Sequence, residues 1–169
     1  MTDSGKSLLL VIDLQKSFIN VNTSLIPLKV EGLIRNNNFD YVAFTKFVNF
    51  DTCNFNTMLN YRGCMSEEER NIVIDTGDNK IFCKSIYSAL NDELVNYIND
   101  NNIDIIYLCG IDTDACVLKT AIDLFENNYN FRVIENCSMS HSGKEFHEFA
   151  VKMLKKLVGE QNIISLECD

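Results

Sequence analysis

Ile105-Ile106-Tyr107-Leu108-Cys109-Gly110-Ile111-Asp112-Thr113-Asp114-Ala115-Cys116-Val117 is the most informative stretch of this chain. An apolar run with the pattern of a buried strand stops at Gly110, and helical patterning begins a few residues later. That spacing predicts Cys116 in the first turn of the helix. Unpaired backbone N–H groups and the helix dipole favour an anion there. The expectation is therefore a thiol biased toward thiolate, the form that attacks carbonyl carbon. A nucleophile at the end of a buried strand points to an enzyme.

Similar apolar runs occur at residues 8–13, 41–47, 80–84, 103–110, 131–135 and 163–166. Runs that are apolar on both faces suit a sheet covered on both sides, hence mostly parallel strands. Helix-like segments lie between them. Residues 25–36 form a short one, and residues 89–99 carry Leu90, Leu94, Val95 and Ile98 on one side. Residues 116–127 carry Val117, Ala121, Leu124 and Phe125, and residues 146–158 carry Phe149, Met153, Leu154 and Leu157. Alternating strand and helix predicts an α/β fold: a three-layer, Rossmann-like sandwich with a mostly parallel six-stranded sheet and helices on both faces. Residues 51–77 are the least regular and read as a loop plus a short helix over the sheet edge. Within them Ile72-Val73-Ile74 reads either as a short extra strand or as packing.

At 169 residues the chain is expected to form a single domain, 1–169. Its net charge of −9 argues against nucleic acid as a partner, because phosphate binding needs a basic face. No apolar window approaches the length of a membrane-spanning helix, so no membrane partner is expected. Met1-Thr2-Asp3-Ser4-Gly5-Lys6 runs straight into a strand pattern and lacks the layout of a signal peptide. The seven cysteines are odd in number and irregular in spacing, with no CxxC. Cys83 and Cys109 sit in apolar runs and read as small buried hydrophobes. This usage predicts a reducing, cytoplasmic setting.

Ligands of open α/β sheets bind beyond the carboxyl ends of the strands, where strand order reverses. Asp13, Lys84 and Cys116 all occupy such positions. If their strands lie close together, an acid, a cation and a thiol converge on one pocket. Taken singly, each has a plainer reading: Asp13 as a cap, Lys84 as a solvated lysine, Cys116 as an inert packing residue.

These residues also carry a family resemblance. Asp13-Leu14-Gln15-Lys16-Ser17-Phe18 resembles the D-x-Q-x-x-F opening of the isochorismatase-like cysteine hydrolases, a superfamily that includes nicotinamidases and N-carbamoyl amide hydrolases. Lys84-Ser85-Ile86-Tyr87-Ser88-Ala89-Leu90 resembles its K-x-x-Y-S-A-F segment, with Leu90 replacing the aromatic. Gly110 to Val117 resembles its G-x-x-T-D-x-C-V nucleophile turn. The resemblance implies an Asp13–Lys84–Cys116 triad and a cis peptide between Ile111 and Asp112. It also implies an oxyanion hole from the amides of Asp112 and Cys116. The thiolate then adds to a carbonyl, a thioester forms on Cys116, and water releases the acid, with Asp13 as general base and acid.

Phe18, Phe47, Asn49, Tyr87 and Ile111 follow or close strands near the triad and are the expected substrate-binding residues, with residues 51–70 as a lid. Nicotinamidases of the superfamily hold a metal with Asp-x-His and a further His. Here the second strand is followed by Thr45-Lys46-Phe47-Val48-Asn49, and the only histidines are His141 and His147. Neither a metal nor another cofactor is therefore expected, and the histidines read as solvated or interface residues. Isochorismate hydrolysis is disfavoured, since that vinyl-ether cleavage uses no nucleophilic cysteine. The expected partner is a small-molecule amide or ureide. By resemblance the chain forms a homodimer or homotetramer, with residues 146–158 as a candidate surface. A nicotinamidase-like amidase, a catalytically idle binding protein and a thiol sensor using Cys109 stand as alternatives.

Overall fold

Leu8 to Ile12 are five consecutive residues with no solvent exposure, and the architecture is built around them. A computed structural model describes residues 5–168; the first four residues of the amino-terminal stretch read above lie outside the described residues. The strands are β1 (Lys6–Ile12), β2 (Tyr41–Phe47), β3 (Lys80–Lys84), β4 (Ile103–Ile111), β5 (Phe131–Met139) and β6 (Ile163–Ile164). They form one six-stranded sheet in the order β3-β2-β1-β4-β5-β6, and every neighbouring pair is parallel. The expected α/β fold is the observed one.

Alternation along β1 divides the interior in two. Leu8, Leu10 and Ile12 point to a core closed by the helices α4 (Asp92–Asp100), α5 (Leu118–Glu126) and α6 (Lys144–Val158). Leu9 and Val11 point to the opposite core, closed by α1 (Ile26–Asn36) and by the segment between β2 and β3. A fully buried leucine contributes roughly 1.5–3 kcal/mol, so sliding β1 by one residue would exchange both sets and is strongly disfavoured.

Several boundaries differ from the sequence reading, each for a local reason. α4 starts at Asp92 because Asn91 caps it, its side chain accepting from the Leu94 N–H at 2.9 Å. β5 runs on to Met139 through an irregularity that moves pairing from Leu108–Val133 to Gly110–Ser138. On α6 the buried stripe is Ala150, Leu154 and Val158, whereas Phe149, grouped with Leu154 in the sequence reading, is 63% exposed. Residues 51–77 hold two short helices, α2 (Asn54–Thr57) and α3 (Glu67–Arg70), the latter set by a capping box between Ser66 and Glu69. Ile72 makes only an isolated antiparallel bridge to Gln15. None of the seven cysteines is in a disulfide; Cys109 is buried, but Cys83 is exposed because β3 is the sheet edge. No helix among the described residues is long and apolar enough to cross a membrane.

Candidate active site

Strand order reverses between β1 and β4, so the crevice of this sheet opens at their carboxyl ends. Asp13 directly follows β1. Its φ of 45° lies in the left-handed region, a conformation that costs an ordinary residue about 1–3 kcal/mol and needs surrounding support. Thr45 of β2 supplies it. The Asp13 N–H donates to Thr45 Oγ1 at 3.0 Å, and that hydroxyl donates to Asp13 Oδ1 at 2.6 Å.

Lys84 closes β3, which is separated from β1 by β2. The length of its side chain bridges the gap. The ammonium passes 5.3 Å from the Phe47 ring centroid and reaches Asp13 Oδ2 at 2.6 Å and Cys116 Sγ at 3.4 Å. It also donates to the Ile86 carbonyl at 3.0 Å. Acid, ammonium and sulfur thus meet although they come from segments 32 or more residues apart in the chain. Asp13 Oδ2 makes no well-directed hydrogen bond, so this oxygen keeps a lone pair for a proton.

Cys116 lies in a π-helical turn, Thr113–Val117, that runs into α5. Such turns recur at functional sites. The peptide bond between Ile111 and Asp112 is cis. The electrostatics correct the sequence reading. Burial above all, and the Asp13 carboxylate after it, push the Cys116 thiol well above its ordinary range, and Lys84 does not offset them. Both act against the thiolate. Burial likewise opposes the Lys84 charge, but the Asp13 carboxylate beside it holds the lysine above its ordinary range.

A cavity of about 290 Å³ opens over Cys116. Phe18, Phe47 and Tyr87 line it, as do Phe55, Leu59 and Tyr61 from the segment that follows β2. Asp112, Asp114, His141 and Ser142 supply the polar wall. Asn49 and Ile111 are not among the lining residues. Ile111 is wholly buried in the core on the α1 side. Asn49 is a brace: its Nδ2 donates to the carbonyls of Tyr61 and Gly63 at 2.9 and 3.0 Å, pinning the covering segment. Arg70 ties the same segment to the carbonyls of Cys64, Asn49 and Met65. Gln15 locks the ends of β1 and β2 together, donating to the Phe47 carbonyl at 2.9 Å and accepting from the Phe47 N–H at 2.7 Å.

Sequence reasoning missed His141. Its backbone N–H and its Nδ1 engage the two oxygens of Asp112 at 2.7 and 2.5 Å, and its ring packs 5.9 Å from Phe18. The signal lay in β5. With that strand ended at residue 135 the histidine is remote, but a strand ending at Met139 delivers it to the mouth of the crevice. His147 instead faces Thr113, Nδ1 to Oγ1 at 2.8 Å. Cys109 belongs to the core on the α1 side and Cys116 to the other, an arrangement unsuited to disulfide exchange between them.

The sequence matches the isochorismatase domain family over residues 7–163. Isochorismatase family protein 2A of Dictyostelium discoideum is 29% identical over 161 residues, covering 89% of this chain and 74% of that protein. Pyrazinamidase of Pyrococcus horikoshii in complex with zinc superposes with a TM-score of 0.81 at 20% identity, over 96% of this chain and 99% of that one. Nicotinamidase from Bacillus subtilis gives 0.77 at 23% identity, over 95% and 99% of the two chains. Likeness at such identities concerns the fold. The donor set here does not suit a zinc ion: among the described residues no three His, Cys, Asp or Glu side chains converge to hold a metal. With nearly its whole length matched by the family model, the chain belongs to the isochorismatase family of hydrolases.

Proposed function

We propose that this single domain is a metal-independent cysteine hydrolase that cleaves an amide-like C–N bond of a small molecule. The observation that carries the reading is Lys84 Nζ lying 2.6 Å from Asp13 Oδ2 and 3.4 Å from Cys116 Sγ, under a cavity of small-molecule size.

Burial and the Asp13 carboxylate oppose a free thiolate, so proton transfer accompanies attack. Asp13 Oδ2 takes the thiol proton as sulfur bonds to the carbonyl carbon. The oxyanion is held by the amides of Asp112 and Cys116, two residues that line the cavity. The C–N bond then breaks, Asp13 returns the proton to the leaving nitrogen, and a thioester remains. Water gives its proton to Asp13 and adds to the thioester. The C–S bond breaks, the acid leaves, and the sulfur recovers its proton. Lys84 stays charged throughout and orients both partners.

The test is turnover of a panel of amides and ureides by wild type and Cys116→Ala, with mass spectrometry of the trapped enzyme. An acyl adduct confined to Cys116 of the wild type is expected. Equal turnover by both proteins, or an adduct on another cysteine, overturns the reading. Chelator is expected to leave the rate unchanged; a loss restored by zinc would return the nicotinamidase-like alternative. The same reading carries a reducing, cytoplasmic setting, which seven cysteines without a disulfide favour. It also carries self-association as a homodimer or homotetramer, favoured by the exposed rings of Phe146 and Phe149.

A further inference from the structure

The polar wall of the cavity is unevenly satisfied. Both oxygens of Asp112 are engaged by His141. Beneath the cavity floor, Asp13 is matched by Lys84 and Thr45. Asp114 is the exception. It lines the cavity, yet its Oδ1 is buried with no hydrogen-bond partner among the described residues. A buried acceptor left unpaired is costly, and because Asp114 is only partly buried and lines the cavity, its carboxylate is within reach of a ligand donor. No lysine or arginine is among the residues lining the cavity, and the one lining imidazole, His141, is already turned to Asp112, so the walls offer little to a carboxylate.

The remaining walls favour the same ligand. Phe47 and Phe55 meet edge-on with centroids 4.7 Å apart, and Phe55 meets Tyr87 in the same way at 4.7 Å. Phe18 stacks parallel to Tyr61 at 6.2 Å. Aromatic faces are electron-rich; they accept flat apolar bodies and attract cations. The chain as a whole carries a net charge of −9, which draws cations and repels anions on approach.

We propose that Asp114 is a specificity determinant, and that the cavity selects flat amides offering an N–H donor or a positive charge to its carboxylate while rejecting amides that bear a carboxylate. The inference rests on the hydrolase reading for the place of the scissile bond, with the reacting carbonyl over Cys116 and the donor directed at Asp114.

Calorimetric binding of three matched aromatic amides to the whole protein tests it: benzamide, its aminomethyl derivative (cationic at neutral pH) and its carboxy derivative (anionic). The cationic amide is expected to bind about tenfold or more tightly than the anionic one, with benzamide between them. In Asp114→Asn, which keeps the shape and removes the charge, the gap is expected to fall to about threefold or less. Wild type alone supplies a second measure, since a gap of electrostatic origin shrinks as salt is added. Equal or tighter binding of the carboxy derivative, a gap that survives in Asp114→Asn or in high salt, or no binding of any of the three overturns the proposal. Turnover of the same amides separates the two readings. Charge-ordered binding without turnover or adduct sinks the hydrolase and leaves this inference; turnover with no charge preference does the reverse.

Discussion

Asp13 has opposite effects on the resting and the reacting sulfur. Its carboxylate helps keep the Cys116 thiol protonated, yet in the proposed reaction it removes that proton. Asp13→Asn should therefore alkylate faster with iodoacetamide at neutral pH, because Lys84 is left as the dominant charge beside the sulfur. Turnover in the same variant should fall by about 10²–10⁴-fold, the range for loss of a general base. Alkylation and turnover that fall together would mean Asp13 activates the thiol in the resting state. His141 has its own pH dependence. Its bond to Asp112 raises its pKa above the ordinary 6.5, although burial opposes the rise. The folded state thus binds the proton more tightly than the unfolded one, and the stability gained is complete below pH 6.5. It is lost as pH rises through the raised value. His147 has the opposite sign, lowered by burial, and cancels when wild type is compared with His141→Gln. The difference in Tm between those two proteins should be greatest in mild acid and vanish at alkaline pH.

Among the elements, β4 and the turn after it are the most tightly specified. Gly110 adopts φ 120°, and a Cβ there would lie 2.2 Å from the Ile12 carbonyl oxygen of the neighbouring strand. Neither β1 nor β4 can yield, since both are central and buried. Gly110→Ala is expected to lose about 2–5 kcal/mol in urea unfolding, from backbone strain and overpacking together; a loss below about 1 kcal/mol would show that the crevice is softer than its packing implies. The glycine at this point was evident in the sequence, where an apolar run broke at a residue without a side chain. Other elements were less legible. The true end of β5 depends on pairing with β4 past an irregularity, and a local pattern of apolar residues does not record a partner's register.

At the scale of the molecule, α6 shows how far patterning carries. Phe146, Phe149 and Leu157 are exposed while Ala150, Leu154 and Val158 pack inward. Phe149→Glu should leave the monomer fold intact and shift the mass in light scattering toward a single chain. An unchanged oligomer, or a monomeric wild type, would remove this face from any interface. The apolar periodicity of α6 marked both faces alike, and only its docking on α5 and β5 distinguishes core from surface.

The order of strands and helices, the parallel sheet and the positions of Asp13, Lys84 and Cys116 at or just beyond strand ends were legible in the sequence itself. Burial on both faces requires unbroken apolar runs, and a strand end exposes whatever residue comes next. Tertiary structure alone decided that Lys84 reaches across β2, that Thr45 steadies Asp13, and that Asn49 braces a loop instead of lining the cavity. It also decided the direction in which the surroundings push the acidity of the sulfur. Desolvation and charge act through space, summed over neighbours from distant segments, and no spacing within one segment encodes that sum.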